Sequence, residues 1–185
     1  MDVIIFWDQR SPRGLELPVA RAISHILPVH TEVVENPVVI RGYERDRNQH
    51  NARKILDGVQ NIYTRQHGTE RIVLLVVPFD LFIPGSDFVF GIARPRIQFG
   101  IVSTARLQNG FYGREHSDDD VIDRIAKEGA HEIGHLLGLE HCENPECVMF
   151  CPQTLDDLDR KKKMLCAACA GHLETLLSED TGGQS

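Results

Sequence analysis

Residues 129–150, GAHEIGHLLGLEHCENPECVMF, gather three histidines, four glutamates and two cysteines into 22 positions. That density of metal-seeking side chains constrains the chain more than any other stretch. His131 and His135 are four residues apart, which on a helix separates them by about 40° and points both imidazoles the same way. Two imidazoles so placed bind one zinc ion. Glu132 stands beside them, where its carboxylate reaches a water next to the metal and takes its proton. Gly138 can adopt the left-handed backbone that ends a helix and turns the chain. The turn brings back His141, which a straight helix would point elsewhere, as a third nitrogen ligand. Three ligands leave one position open, the arrangement of a catalytic zinc. With nine histidines and 15 glycines in the chain, HExxHxxGxxH arises by accident only roughly once in ten thousand sequences. Ordinary helix histidines are therefore a poor explanation.

The five cysteines all lie between 142 and 169, after a cysteine-free front portion. Clustered, odd-numbered cysteines argue for metal over a disulfide framework. Cys142, Cys147, Cys166 and Cys169 form a C-x4-C … C-x-x-C set, two thiolate hooks of the kind that close a tetrahedral, structural zinc site. Its expected work is to pin the segment after the active-site helix to a C-terminal helix beginning near Leu165. Cys151 is read as a free structural cysteine, with replacement of Cys147 as ligand the alternative. The run Asp159 to Lys163 (DRKKK) is expected to be a solvated helix face.

The remaining sequence supplies an α/β frame. DVIIFW (2–7) and RIVLLVVP (71–78) are buried-type strands, the second suited to a sheet covered on both faces. GLELPVARAISHIL is a helix with Leu15, Val19, Ile23 and Ile26 or Leu27 on one face. VHTEVVEN and PVVI are strand material, and a second helix is expected from about Asn48 to Gly68. SDFVFGIARP and RIQFGIVSTARL are further strands, and QNGFYGREH a loop. SDDDVIDRIAKEGAHEIGHLLG is a helix with Ser117 and Asp120 as a capping box and Gly138 as terminator. The tail SEDTGGQS is expected to fray.

A net charge of −7 argues against nucleic-acid or anionic-membrane surfaces, which favour basic patches. No segment has the length and apolarity of a membrane span, and MDVIIFWDQR lacks the features of a secretory leader, so the expected location is cytoplasmic.

HExxHxxGxxH with a downstream methionine, a cysteine directly after the third histidine, Cys147-Val148-Met149 and a later CxxC resembles the archaemetzincins, zinc metallopeptidases of the metzincin clan. FVFGIA and VSTARL also resemble that family's strands before the active-site helix. The resemblance implies a catalytic zinc on His131, His135 and His141, with Glu132 as general base. It implies a structural zinc on Cys142, Cys147, Cys166 and Cys169, and Met149 as an apolar floor beneath the imidazoles. Phe150 occupies the position where some metzincins carry a tyrosine, leaving Tyr112 as the conceivable substitute. The expected fold is a twisted mixed sheet with a backing helix and an active-site helix. A zincin-like portion would span 1–138 and a small zinc-pinned helical subdomain 139–185. The expected function is hydrolysis of peptide or protein substrates by zinc-activated water, with two zinc ions per chain. The alternative is a zinc-stabilised peptide-binding protein with little turnover.

Overall fold

The computed structural model describes residues 1–35, 41–67 and 71–182. In chain order the elements of the first half are β1 (Asp2–Trp7), α1 (Glu16–Ile26), β2 (His30–Glu35), β3 (Tyr43–Glu44), β4 (Gln49–Asn51) and α2 (Ala52–His67). The second half holds β5 (Ile72–Val77), β6 (Leu81–Phe82), β7 (Gly91–Arg94), β8 (Phe99–Ser103), α3 (Asp118–Leu136), α4 (Leu155–Arg160) and α5 (Ala167–Gly182). PVVI and Gly68 lie outside the described residues.

A five-stranded mixed sheet in the order β2-β1-β5-β8-β7 carries the α/β fold. Its first four strands are parallel and β7 closes the edge antiparallel to β8. Strand alternation sorts the aliphatic residues to two faces. Val3, Ile5, Leu74 and Val76 pack on one side with Val19 and Ile23 of α1 and with Ile125, Ala130 and Ile133 of α3. Ile4, Phe6, Val73, Leu75 and Ile101 pack on the other with Ile55, Leu56 and Val59 of α2. The continuous run of β5 is therefore enclosed on both faces, as its sequence predicts, and each large aliphatic side chain there contributes about 1.5–3 kcal/mol. A small sheet, β3-β4-β6, flanks the main one.

Three details differ from the sequence expectations. α2 starts at Ala52, because Gln49–Asn51 pair with β3 and β6 before the helix begins. Ser117 caps α3 by accepting the Asp120 amide, but the Asp120 carboxylate accepts from Asn109 Nδ2 at 2.8 Å instead of closing a box. α5 continues to Gly182, through most of the expected frayed tail. No helix among the described residues is long and apolar enough to cross a membrane.

α3 meets the sheet closely at glycines. A Cβ at Gly129 would lie 2.9 Å from Ile23 and 3.1 Å from Leu74. α4 is tied to α3 by Arg124, whose guanidinium binds both Asp159 oxygens at 2.6 and 2.8 Å and donates to Leu107 O and Asn109 Oδ1.

Candidate metal centre and cleft

α3 exists because an acidic first turn, Asp118 to Asp120, meets the positive end of the helix dipole and Ser117 caps it. It ends where Gly138 takes φ +95°. The last turns of α3 and the chain beyond Gly138 bring His131, His135 and His141 together, with one nitrogen of each within 4.8 Å of the others.

The imidazole tautomers follow from the backbone. His131 Nδ1 lies 3.0 Å from Val148 O and His135 Nδ1 lies 2.8 Å from Leu139 O. A carbonyl only accepts, so each Nδ1 carries the proton and each Nε2 presents a lone pair. The two Nε2 atoms stand 3.1 Å apart, and neither can donate to the other. Facing lone pairs repel unless a cation lies between them. Tetrahedral zinc with bonds of about 2.0–2.1 Å sets its nitrogens about 3.3 Å apart, so these residues fit zinc. Burial holds both imidazoles below their usual range, which keeps them neutral and ready to ligate.

Cys142, Cys147, Cys166 and Cys169 form the second cluster, their sulfurs also within 4.8 Å of one another. Cys142 Sγ and Cys166 Sγ are 3.8 Å apart, the separation of about 3.8 Å that zinc–sulfur bonds of about 2.3 Å produce in a tetrahedron. All are free thiols. The Cys169 amide lowers the Cys166 thiol to about 7, whereas burial raises Cys147 and Cys169. Backbone amides also donate to the sulfurs, Asn144 N to Cys142 and Cys166 N to Cys147. Cys151 stands outside this cluster and lines the cleft.

The cleft, about 1010 Å³, runs between α3 and the segment around β7. His131, Glu132, His135 and His141 line one wall, and residues 85–93 the other. Glu132 is wedged against β7, since a Cβ at Gly91 would lie 2.8 Å from its Oε1. Only glycine at 91 leaves the carboxyl that space. Burial raises Glu132 well above the usual carboxylate range, and the neighbouring Glu128 charge raises it further.

Behind the pair of glutamates is a group that the sequence reading placed in solvent. Lys161 is 1% exposed, and its ammonium has no hydrogen-bond partner among the described residues. Burial lowers its pKa, opposed by the charges of Glu128 and Glu132. The rest of the DRKKK run is also engaged: Asp159 with Arg124, Lys162 with Glu146 and Lys163 with Asp123. The run is thus a structural seam. Glu128 was legible in principle, four residues before Glu132 on the same helix face; Lys161 carried no local signal. Tyr112 does not substitute for the missing tyrosine, because its hydroxyl donates to Arg106 O at 3.0 Å and it is not among the residues lining the cleft. Met149 is fully buried against the helix, where a Cβ at Gly134 would lie 2.4 Å from its sulfur.

Comparison with known proteins agrees with this architecture. The family model described as Peptidase family M54 matches residues 9–175. The archaemetzincin of Pyrococcus horikoshii is 37% identical over 136 residues, covering 74% of this chain and 71% of that protein. The archaemetzincin of Aeropyrum pernix is 34% identical over 171 residues, covering 88% and 87%. Among solved structures, a zinc-dependent peptidase from Methanocorpusculum labreanum superposes with a TM-score of 0.86 at 41% identity, covering 92% of this chain and 99% of that one. An archaemetzincin from Methanopyrus kandleri superposes with a TM-score of 0.77 at 30% identity, covering 96% of each chain. A match spanning nearly the whole chain, joined to the histidine cluster in its cleft, identifies the chain as a member of peptidase family M54 and a metallopeptidase of archaemetzincin type.

Proposed function

We propose that the chain hydrolyses peptide bonds with one zinc ion on His131, His135 and His141 and a second, structural ion on Cys142, Cys147, Cys166 and Cys169. The observation that carries this reading is the convergence of two Nε2 lone pairs, 3.1 Å apart, in a cleft that also holds a buried glutamate. Zinc bound there supplies Lewis acidity, polarising water and the scissile carbonyl. Glu132 takes the proton of the attacking water and passes it to the leaving amine. Burial and the Glu128 charge raise its proton affinity in the metal-free protein, and the charge of a bound zinc ion would act in the opposite direction. The Val148 and Leu139 carbonyls fix two ligand rings by their second nitrogen. β7, the edge strand of the main sheet that borders the cleft, holds the substrate backbone as an added strand.

The chain from 139 to 185 is read as a subdomain hinged at Gly138 and pinned by the cysteine site. Four thiols kept available for metal fit a reducing cytoplasm.

Glu132→Gln separates hydrolysis from simple zinc-stabilised peptide binding. The variant is expected to keep two zinc ions per chain and to lose turnover of a quenched-fluorescence peptide library. Full turnover in that variant, or turnover in the native enzyme that survives removal of both metals, rejects the mechanism.

A further inference from the structure

The cleft continues past the histidines along β7. Along that strand the side chains alternate: Ala93 packs on the α3 side of the sheet and Ile92 on the α2 side. Gly91 faces Glu132, so Gly91 and Ala93 border the reacting centre while Ile92 and Arg94 point the other way. A second cavity of about 550 Å³ lies on that other side. It shares Ile83, Ile92, Ala93 and Pro95 with the main cleft. The remainder of its lining is charged: Arg53, Arg94, Arg96 and Asp57. Arg94 is paired with Asp57. Arg53 and Arg96 are exposed and have no ion pair among the described residues. Three cations against one anion stand here in a chain whose net charge is −7.

We infer that this arginine-lined cavity is a substrate subsite for acidic side chains on the N-terminal side of the scissile bond. The inference rests on the reading of β7 as the strand that holds the substrate. An antiparallel added strand, the more stable pairing, first passes the 3-10 turn Pro95–Ile97 that carries Arg96, then Arg94 at the end of β7, and reaches Gly91 and Glu132 afterwards. At about 3.3 Å per residue, Arg94 stands about 10 Å from Gly91 along the strand. Residues about three to five positions upstream of the cleaved bond therefore pass the guanidinium groups, and alternate ones point towards them. Guanidinium groups take carboxylates in a bidentate fork, which makes Asp or Glu the fitting occupant. The protein's overall negative charge repels acidic peptides at longer range, so the preference depends on this local patch and weakens with salt.

The test uses the zinc-loaded Glu132→Gln protein and fluorescence anisotropy. Three labelled peptides share one sequence, with two Asp at positions three and five upstream, two Asn at the same positions, or two Asp placed downstream. The upstream Asp peptide is expected to bind about fivefold more tightly than the Asn peptide at low salt, the sum of two exposed pairs. Adding Arg53→Glu and Arg96→Glu, in protein that keeps its far-UV spectrum and zinc content, is expected to abolish that difference. Equal binding of Asp and Asn peptides, tighter binding of the downstream Asp peptide, or a difference that survives the double substitution overturns the subsite. Cleavage of the Asn peptide by the native enzyme with no Asp preference rejects the subsite and leaves hydrolysis standing. An Asp preference in binding with no cleavage of any peptide does the reverse.

Discussion

Replacing Gly91 with Ala tests whether Glu132, the proposed general base, is held in place by the strand facing it. Gly91 is not among the residues of positive φ, so alanine is free of backbone strain and the whole effect comes from space. The added Cβ would lie 2.7 Å from Ile101 O, 2.8 Å from Glu132 Oε1 and 3.0 Å from Glu132 Cγ. Ordinary contact begins at 3.4 Å, so the carboxyl oxygen and the methyl must separate by about 0.6 Å. Ile101 O is backbone in the β8 ladder and yields little, which leaves Glu132 to rotate or β7 to lift. Overpacking of this kind costs about 1–3 kcal/mol, a Tm loss of about 2–10 °C for a chain of this size. Displacement of a catalytic group by 1 Å costs about a hundredfold in rate, so about 0.6 Å predicts a ten- to hundredfold fall in kcat/KM. The assays are calorimetry and cleavage of a quenched peptide, with zinc content measured alongside. Gly171→Ala on α5, where an added Cβ meets nothing within 4 Å, is the control: turnover should be unchanged and Tm should rise by about 2–4 °C, because alanine favours the helix. Full turnover and an unshifted Tm in Gly91→Ala would refute the packing of Glu132 against β7.

Three further outcomes are expected. Cys166→Ser should lose one zinc ion per chain and keep the other, with Tm lowered by about 10 °C or more; retention of two ions by mass spectrometry contradicts the four-sulfur site. In metal-stripped protein, iodoacetamide at neutral pH should modify Cys166 before Cys147 or Cys169, because its thiol titrates at about 7 while theirs are raised. The thiolate fraction grows as pH rises, so one unit below that pKa its rate should fall to about a fifth of the rate at the pKa; faster labelling of Cys147 is the contrary result. Arg124→Met should cost about 3 kcal/mol in urea unfolding, since it leaves the Leu107 carbonyl and Asn109 Oδ1 without their donor and Asp159 without its cation; a loss under about 0.5 kcal/mol refutes its role as the α3–α4 tie.

What the sequence made legible was local chemistry with a fixed period. His131 and His135 share a helix face by spacing alone, Gly138 marks the turn, and the aliphatic run of β5 announces a strand covered on both sides. What it hid depended on distant partners. The second helix is expected to begin near Asn48, yet Asn48 adopts φ +53° because the next residues pair with Tyr43 and Leu81. Asp120 looks like half of a capping box, but Asn109 competes for its carboxylate. The lysine run reads as solvated because composition cannot show that the chain bends after α4 and turns Lys161 inward to two glutamates, leaving Lys162 and Lys163 outside.

The histidine and cysteine clusters are not independent, and their dependence runs both ways. His141 and Cys142 are adjacent, so a shift of one is a shift of the other. Cys147 immediately precedes Val148, whose carbonyl fixes the His131 ring, and Met149, whose side chain fills the space at Gly134. The same segment is sewn to the chain before α5 by Val148 N to Met164 O and Lys162 N to Glu146 O. Sulfur ligation, as proposed, would therefore hold the carbonyl that sets a histidine tautomer and the methionine packed against Gly134. The same joints run in the opposite direction: Cys142 N donates to Met149 O at 2.9 Å and Phe150 N to Cys147 O at 3.0 Å, so the cysteines also take their positions from the segment packed under α3. If both clusters hold an ion as proposed, loss of either should therefore weaken the other by the same factor, since binding coupled through shared joints is reciprocal.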